Sequence, residues 1–325
     1  MTNSRFLIVG GSGFLGRALY ARLGAARAIA TYHKNPLPGG VYFDASTMRL
    51  ADMFLRRDHG LTHAFLLHGI TKIDDCARNP AGTAKVNVES TIRMIDDLLA
   101  AGVMPIFASS DAVFDGTRGL WMEEDPVNPI LTYGRQKVAI EQYLLSKNVP
   151  WIVARLSKVV ATDLDRHSVL GEWIEAIEAG KTIRCATDQI FSPTYIEDVV
   201  TALILLTEGN FAGIFHVCGS EAISRLELLT LLTREIRRYR DIEANILPCS
   251  IKDLPFPEER PLNTSMSPKK LYKTTGTVFD SLESVCERLA RQRYSNEDNS
   301  KTQVQQAYTQ PERGFRGTEQ GQGQL

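Results

Sequence analysis

Short apolar runs recur along the first half of the chain, and apolar positions at helical spacing follow several of them. Residues 5–9 (RFLIV) read as a buried strand, and Leu15, Leu19 and Leu23 then mark one face of a helix. Ala28–Tyr32, Val41–Phe43 and residues 62–67 (THAFLL) predict three further strands. Between 80 and 101, Val86, Ile92, Ile95, Leu98 and Leu99 line one helix, which Gly102 ends because glycine accepts the left-handed cap position. Val103–Ala108 is a fifth strand, 133–147 a helix, and Trp151–Leu156 a sixth strand. Strands alternating with helices predict a Rossmann, doubly wound α/β fold, since parallel neighbours need helical crossovers.

After residue 157 the rhythm changes. Helical segments near 168–179, 195–207, 224–239 and 278–293 alternate with short strands such as Ile214–Val217 and with a proline-rich loop, LPFPEERPLN. This predicts a dinucleotide-binding domain over 1–157 and a smaller substrate lobe over 158–294, partly interleaved with it. From 295 to 325 the chain is rich in Gln, Gly and charge, and such a composition buries too little apolar surface to offset ordering entropy. A disordered tail is expected there.

Composition adds exclusions. At 43% hydrophobic, 23% charged and a formal net charge of −1, the 325-residue chain carries no basic excess for nucleic acid or an anionic membrane. Nor does any apolar run approach the roughly 18 residues that span a bilayer. RFLIVGGSGFLG is short and lacks a small-residue cleavage pattern, so it reads as strand and turn rather than signal peptide. Cys76, Cys185, Cys218, Cys249 and Cys286 are odd in number and scattered, which fits reduced thiols in a cytoplasm. No cluster has metal-ligand spacing, so no metal is expected.

The turn after the first strand reads Gly10-Gly11-Ser12-Gly13-Phe14-Leu15-Gly16. The first glycine of this G-x-x-G-x-x-G permits a tight turn, the second a close approach of pyrophosphate, and the third close helix–strand packing. Free N–H groups at the helix start would bind the anion. An acidic residue ending the second strand would select NAD, but that strand ends Thr31-Tyr32-His33-Lys34. His33 and Lys34 favour the 2′-phosphate of NADPH, with NAD left open. Asp44 is a candidate for the adenine amino group or a simple turn residue.

Tyr-x-x-x-Lys occurs twice, as Tyr133/Lys137 and Tyr143/Lys147. Ten residues separate the tyrosines, about 15 Å along a helix, so one site cannot use both pairs. Sites in doubly wound sheets lie at the carboxyl ends of the strands, where a returning helix begins. Tyr133 is therefore the candidate, and Tyr143 packs at the far end. Ser109 and Ser110 end the fifth strand nearby.

These motifs resemble the extended short-chain dehydrogenases/reductases. More narrowly, SSDAVFDG (109–116), TYGRQK (132–137), DQIFSPTYIEDVV (188–200) and RPLNTS (260–265) are similar to the dTDP-4-dehydrorhamnose reductase family, over roughly residues 5–290. The resemblance implies NADPH-dependent reduction of a nucleotide-activated 4-keto-6-deoxy sugar in polysaccharide or deoxysugar biosynthesis. It makes Tyr133 the proton donor, Lys137 the cation that lowers the phenol's pKa and holds the nicotinamide ribose, and Ser110 the carbonyl's hydrogen-bond donor. Related dehydratases carry Asp-Glu after the hydroxyl residue. Here Asp111-Ala112 lacks the glutamate, which argues against water elimination.

Departures from the family pattern bear on the substrate. Lys158 stands where a tryptophan is usual and implies a different, more acidic sugar, or else a lysine pointing to solvent. His68 and Gly69 would line the cofactor or simply pack a loop. Asn87 would face the site from its helix or be an ordinary surface amide. Arg260 is the candidate for the substrate diphosphate, with a surface salt bridge to Glu258 or Glu259 as the alternative. Ser110, Asp111, Lys158 and Arg260 thus form the expected substrate set. The alternatives to reduction are epimerisation with tightly held NAD and a non-catalytic role like that of the methionine adenosyltransferase β subunit. A homodimer is a further expectation.

Overall fold

A computed structural model describes residues 4–55, 59–161 and 168–308, with side chains as far as Ser295. The strands are β1 (Phe6–Val9), β2 (Ala28–Tyr32), β3 (Val41–Tyr42), β4 (His63–Leu66), β5 (Met104–Ser110), β6 (Ile152–Leu156), β7 (Val159–Val160), β8 (Ile183–Ala186), β9 (Ile190–Phe191), β10 (Thr194–Tyr195), β11 (Gly213–Val217), β12 (Ile223–Ser224) and β13 (Ile246–Cys249). The α-helices are α1 (Phe14–Leu23), α2 (Leu50–Met53), α3 (Ile73–Arg78), α4 (Pro80–Ala84), α5 (Ser90–Ala100), α6 (Thr132–Leu145), α7 (Val169–Glu178), α8 (Ile196–Glu208), α9 (Arg225–Arg237), α10 (Lys269–Thr275) and α11 (Leu282–Tyr308).

Among the described residues, one seven-stranded sheet runs in the order β11-β6-β5-β4-β1-β2-β3. Every pairing in it is parallel. Alternate residues of β1 serve opposite faces: Phe6 and Ile8 meet Leu19, Leu203 and Leu206 of α1 and α8, while Leu7 and Val9 meet Ile95, Leu98, Ile140 and Leu144 of α5 and α6. Both faces are covered, which is why the strands read as continuous apolar runs. Each fully buried Leu, Ile or Phe contributes about 1.5–3 kcal/mol. The order reverses between β1 and β4, and that switch point opens the crevice where doubly wound folds take ligands.

A separate core gathers Trp173, Ile174, Leu228, Leu229, Leu232, Val285 and Leu289 from α7, α9 and α11. The chain reaches it from residue 157 but returns to the main sheet. Ile214–Val217, expected in the smaller lobe, belongs to β11, which pairs with β6 from Gly213↔Ile152 to Val217↔Leu156. The helix expected over 80–101 is interrupted at Lys85–Glu89 by a π turn. That wide turn carries Asn87, whose amide bonds Ile70 and Gln136. The last helix runs to Tyr308. Residues 309–325 of the expected tail lie outside the described residues.

Candidate active site

The glycine turn is built by steric exclusion. Gly10 has φ +88°, and a Cβ there would stand 2.7 Å from the His68 nitrogen, so β1 and the loop after β4 touch backbone to backbone. A Cβ on Gly16 would come 2.3 Å from the Gly10 carbonyl, which presses α1 onto the turn. The turn is tied by Gly13 N–H to Gly10 O at 3.0 Å, and by Gly10 N–H to the buried Thr31 hydroxyl at 3.1 Å. No side chain caps α1 at Gly13, and the Ser12 and Gly13 amides already donate to Thr31 O and Gly10 O, so the amides of Phe14, Leu15 and Gly16 suit an anion. These residues therefore fit a dinucleotide diphosphate.

His33 and Lys34 are exposed just beyond β2, with the His33 ring 6.0 Å from that of Tyr42. The Asp44 carboxylate accepts Ser46 N–H at 2.9 Å and the Thr47 hydroxyl at 3.0 Å, so it shapes its own turn first. Those bonds hold it below the usual carboxylate range. His68 packs behind Gly10 and is paired with the Thr91 hydroxyl at 3.1 Å. The Thr91 hydroxyl also reaches Asn87 O at 2.9 Å. Burial lowers the His68 pKa to about 4, keeping the ring neutral.

Asn87 does not turn its amide toward the crevice. Its Oδ1 accepts Ile70 N–H at 2.8 Å, and its Nδ2 donates to Ile70 O at 3.0 Å and Gln136 Oε1 at 2.7 Å. Gly69, at φ +141°, lies against that amide. Asn87 thus clamps the loop after β4 to the start of α6. Gln136, one residue before Lys137, was missed; its place inside TYGRQK was the available signal.

Over the strand ends, Ser110, Tyr133 and Lys137 come together. The Ser110 hydroxyl, which donates to Asp111 at 2.9 Å, lies within interaction range of the Tyr133 hydroxyl. Gly134 makes this approach feasible, since a Cβ there would fall 2.0 Å from the Ala112 carbonyl. Lys137 Nζ donates to Ala108 O at 2.7 Å and sits 5.4 Å from the Tyr133 ring centre. Burial lowers Lys137 to about 8, against the opposing charge of Glu141. Burial, and then the Asp111 carboxylate, push the phenol above its usual range.

Asp111 is the polar hub beside them. Its carboxylate accepts Ser110 at 2.9 Å, Thr264 at 2.9 Å and Ser157 at 3.5 Å, and burial raises its pKa. Thr264 arrives because the two narrow motifs dock on each other. A Cβ on Gly116 would meet Pro261 at 2.6 Å, and Asn263 N–H donates to Gly116 O at 3.1 Å. Lys158 is exposed, within electrostatic reach of Asp111 and Arg225.

Arg260 pairs with neither expected glutamate. It bonds Asp74 at the start of α3, lies 4.4 Å from the Phe256 ring centre, and keeps Nη1 without a partner. Glu258 instead accepts Thr132 N–H and Arg135, fixing the N-terminus of α6. Two other features escaped sequence reading. Cys76 lies buried close to Tyr133 and Lys137, bonding Ile70 O. Beneath the site, Arg155 joins Glu141 at 2.8 Å, and Ser109 donates to Glu141 at 2.5 Å. The second pair, Tyr143 and Lys147, bonds Asp96 at the far end of α6.

A parallel doubly wound sheet, a glycine cradle at its switch point and a Ser-Tyr-Lys cluster over the strand ends define the extended short-chain dehydrogenase/reductase fold. The RmlD substrate binding domain model matches residues 4–294, and the chain belongs to that family. Methionine adenosyltransferase 2 subunit beta of Bos taurus is 27% identical over 243 residues, covering 70% of each chain. The dTDP-4-dehydrorhamnose reductase of Sinorhizobium fredii is 24% identical over 231 residues, covering 69% of this chain and 77% of that one. The crystal structure of dTDP-4-dehydrorhamnose reductase from Bacillus anthracis in complex with NADP superposes with a TM-score of 0.76 at 21% identity, covering 89% of this chain and 99% of that one. At that identity the likeness is one of fold. Among the described residues no helix is long and apolar enough to cross a membrane.

Proposed function

We propose that the chain is an NADPH-dependent reductase of a nucleotide-activated 4-keto sugar. It is an NAD(P)-dependent oxidoreductase by family and by the chemistry of its cluster. The observation that carries the reading is the convergence of Tyr133 and Ser110 beside the Lys137 ammonium, which lies 5.4 Å from the Tyr133 ring centre. NADP, when bound as NADPH along Gly10–Gly16 with His33 and Lys34 at its 2′-phosphate, supplies the hydride. Ser110 orients the substrate carbonyl by donating to its oxygen. Tyr133 passes the proton from its hydroxyl to that oxygen as charge builds there. Lys137, protonated near neutrality, stabilises the phenolate left behind. The carbonyl becomes an alcohol. Ala112, a methyl group at the dehydratases' glutamate position, leaves Asp111 without the partner that elimination needs.

A second reading has its own support, the 27% identity to the methionine adenosyltransferase subunit. In that case the cradle binds NADP and the cluster is idle. Purified protein with NADPH and a panel of nucleotide 4-keto sugars separates the two. Oxidation of NADPH that falls about a thousandfold in Tyr133→Phe, the scale of general acid catalysis, is expected. No turnover by wild-type protein that binds NADPH would overturn the reductase reading.

A further inference from the structure

Two cations in the substrate lobe close no direct ion pair among the described residues, whereas other arginines here do. Arg22, Arg27 and Arg293 close ion pairs of 2.8, 2.5 and 2.8 Å with Glu197, Glu208 and Glu178. Arg225 opens α9 after the Ser224 capping box and reaches a neutral acceptor, Gln189 Oε1, at 3.5 Å, with the Trp173 ring centre 5.8 Å away. Lys158 follows Ser157, whose hydroxyl meets Asp111. Among the described residues neither cation closes an ion pair. Glu172 of α7 and Asp111 stand within electrostatic reach of Lys158, and Glu172 within reach of Arg225. Burial lowers the pKa of each, and Arg225 further lowers that of Lys158. Like charges set near each other are unfavourable until an anion joins them.

Strand pairing relates Arg225 to the reactive cluster. Ser224 pairs with Ile190, Ile190 bridges to Asn263, and the next residue, Thr264, bonds Asp111. At roughly 4.8 Å per strand spacing the backbone of Ser224 is about 10 Å from that of Asn263, and because those two segments run in opposite directions Arg225 and Thr264 lie about 12 Å apart. In a 4-keto pyranose the carbonyl carbon lies across the ring from C1, which bears the diphosphate. A sugar held with C4 at Ser110 and Tyr133 therefore extends its phosphates one ring further on. Arg260, the candidate from the sequence, is compensated by Asp74 and its side chain is only 8% exposed.

Resting on the nucleotide-sugar reading, we propose that Lys158 and Arg225, rather than Arg260, hold the substrate's diphosphate. The pair offers two positive charges to two phosphate groups, with the guanidinium able to fork onto phosphate oxygens. Arg260 then acts as a lock between the 256–260 loop and α3.

Calorimetric titration of the full chain, saturated with NADPH, tests this with dTDP, UDP and GDP as probes. Lys158→Met and Arg225→Met should each weaken the best nucleoside diphosphate about tenfold or more, as loss of a charged hydrogen bond does. Arg225→Lys should keep most of the affinity, and NADPH binding should not move in any of the three. A matching nucleoside monophosphate should bind wild type more weakly and lose less in the variants. Unchanged diphosphate affinity in both Met variants, with collapse in Arg260→Met, would overturn the assignment and leave the nucleotide-sugar reading standing. Absence of nucleoside diphosphate binding in a wild-type protein that binds NADPH would overturn both.

Discussion

The Lys137 ammonium stands 5.4 Å from the centre of the Tyr133 ring and is tethered to the Ala108 carbonyl of β5 at 2.7 Å. The sheet, rather than the helix alone, fixes the cation beneath the phenol. Lys147 lies closer to its own tyrosine, 3.9 Å from the ring centre, but both bond the exposed Asp96. The two copies of one spacing differ in burial and in what anchors the lysine.

That burial sets a pH dependence. Lys137 titrates near 8 in the folded chain, against roughly 10.4 when unfolded. Between those values the unfolded chain binds the proton more tightly, so stability from this group rises with pH across the window. The difference is worth roughly 3 kcal/mol. Denaturant melts of wild type and Lys137→Met from pH 7 to 10.5 should show the wild type gaining on the variant as pH rises. Reductase activity should run the other way and fall above about pH 8 as the ammonium is lost. Parallel stability curves would show that Lys137 is not desolvated.

Gly134→Ala tests the approach of α6 to the 110–112 turn. The new methyl carbon would sit 2.0 Å from the Ala112 carbonyl oxygen, a backbone atom with no rotamer to change. Overpacking of this kind typically lowers stability by about 1–3 kcal/mol. Relaxation must move Tyr133 away from Ser110, so turnover should fall by about a hundredfold, the usual result of a 1 Å misplacement. NADPH affinity, which depends on the glycine turn, should stay within about twofold, a change below 0.5 kcal/mol. Thermal melts, kinetics and cofactor titration on one preparation check all three.

Much of this arrangement was legible in the chain. The first six strands were placed to within about two residues, and for all but the exposed β3 the reason is that strands buried on both faces read as unbroken apolar runs. Tyr133 was preferred over Tyr143 from helix length together with the placement of sites at the carboxyl ends of the strands. What escaped depends on distant partners. The five residues of β11 carry nothing that says which sheet they join. Asp74 lies 186 positions before Arg260, so nearby Glu258 and Glu259 drew attention instead. Asn87 was placed near the site, but its role as a clamp on Ile70 needs the π turn, a backbone feature without a clear side-chain signature. Glu141 and Arg155 read as ordinary polar positions until the fold faces them inward.

That inward pair predicts an asymmetry. Glu141 and Arg155 are 2% and 3% exposed and meet at 2.8 Å, with Ser109 and His216 completing the network. The His216 pKa is lowered to about 3 by burial and by Arg155, so its neutral ring accepts from Arg155 and donates to Trp121 O. Removing one partner leaves a buried charge unpaired, so Glu141→Gln or Arg155→Met should each lower stability by about 3–5 kcal/mol. The double variant Glu141→Leu/Arg155→Met should lose far less than the sum. A double-mutant cycle by denaturant unfolding measures the coupling.

The last prediction concerns cofactor choice. No carboxylate ends β2, where one would bind the ribose 2′-hydroxyl of NAD and repel a 2′-phosphate. His33 and Lys34 take that place and are exposed, so their attraction for phosphate is partly screened by solvent. Each should therefore contribute modestly, and removing both should cost NADPH about tenfold in affinity, or 1.4 kcal/mol. NADH lacks the phosphate and should bind the His33→Ser/Lys34→Ser variant as it binds wild type. The preference should also shrink with salt in wild type, since screening at high ionic strength acts on exposed charges first. Fluorescence titration of both nucleotides at low and high salt decides it. A double variant that weakens NADH as much as NADPH would place these residues in the general architecture of the cradle rather than at the 2′-phosphate.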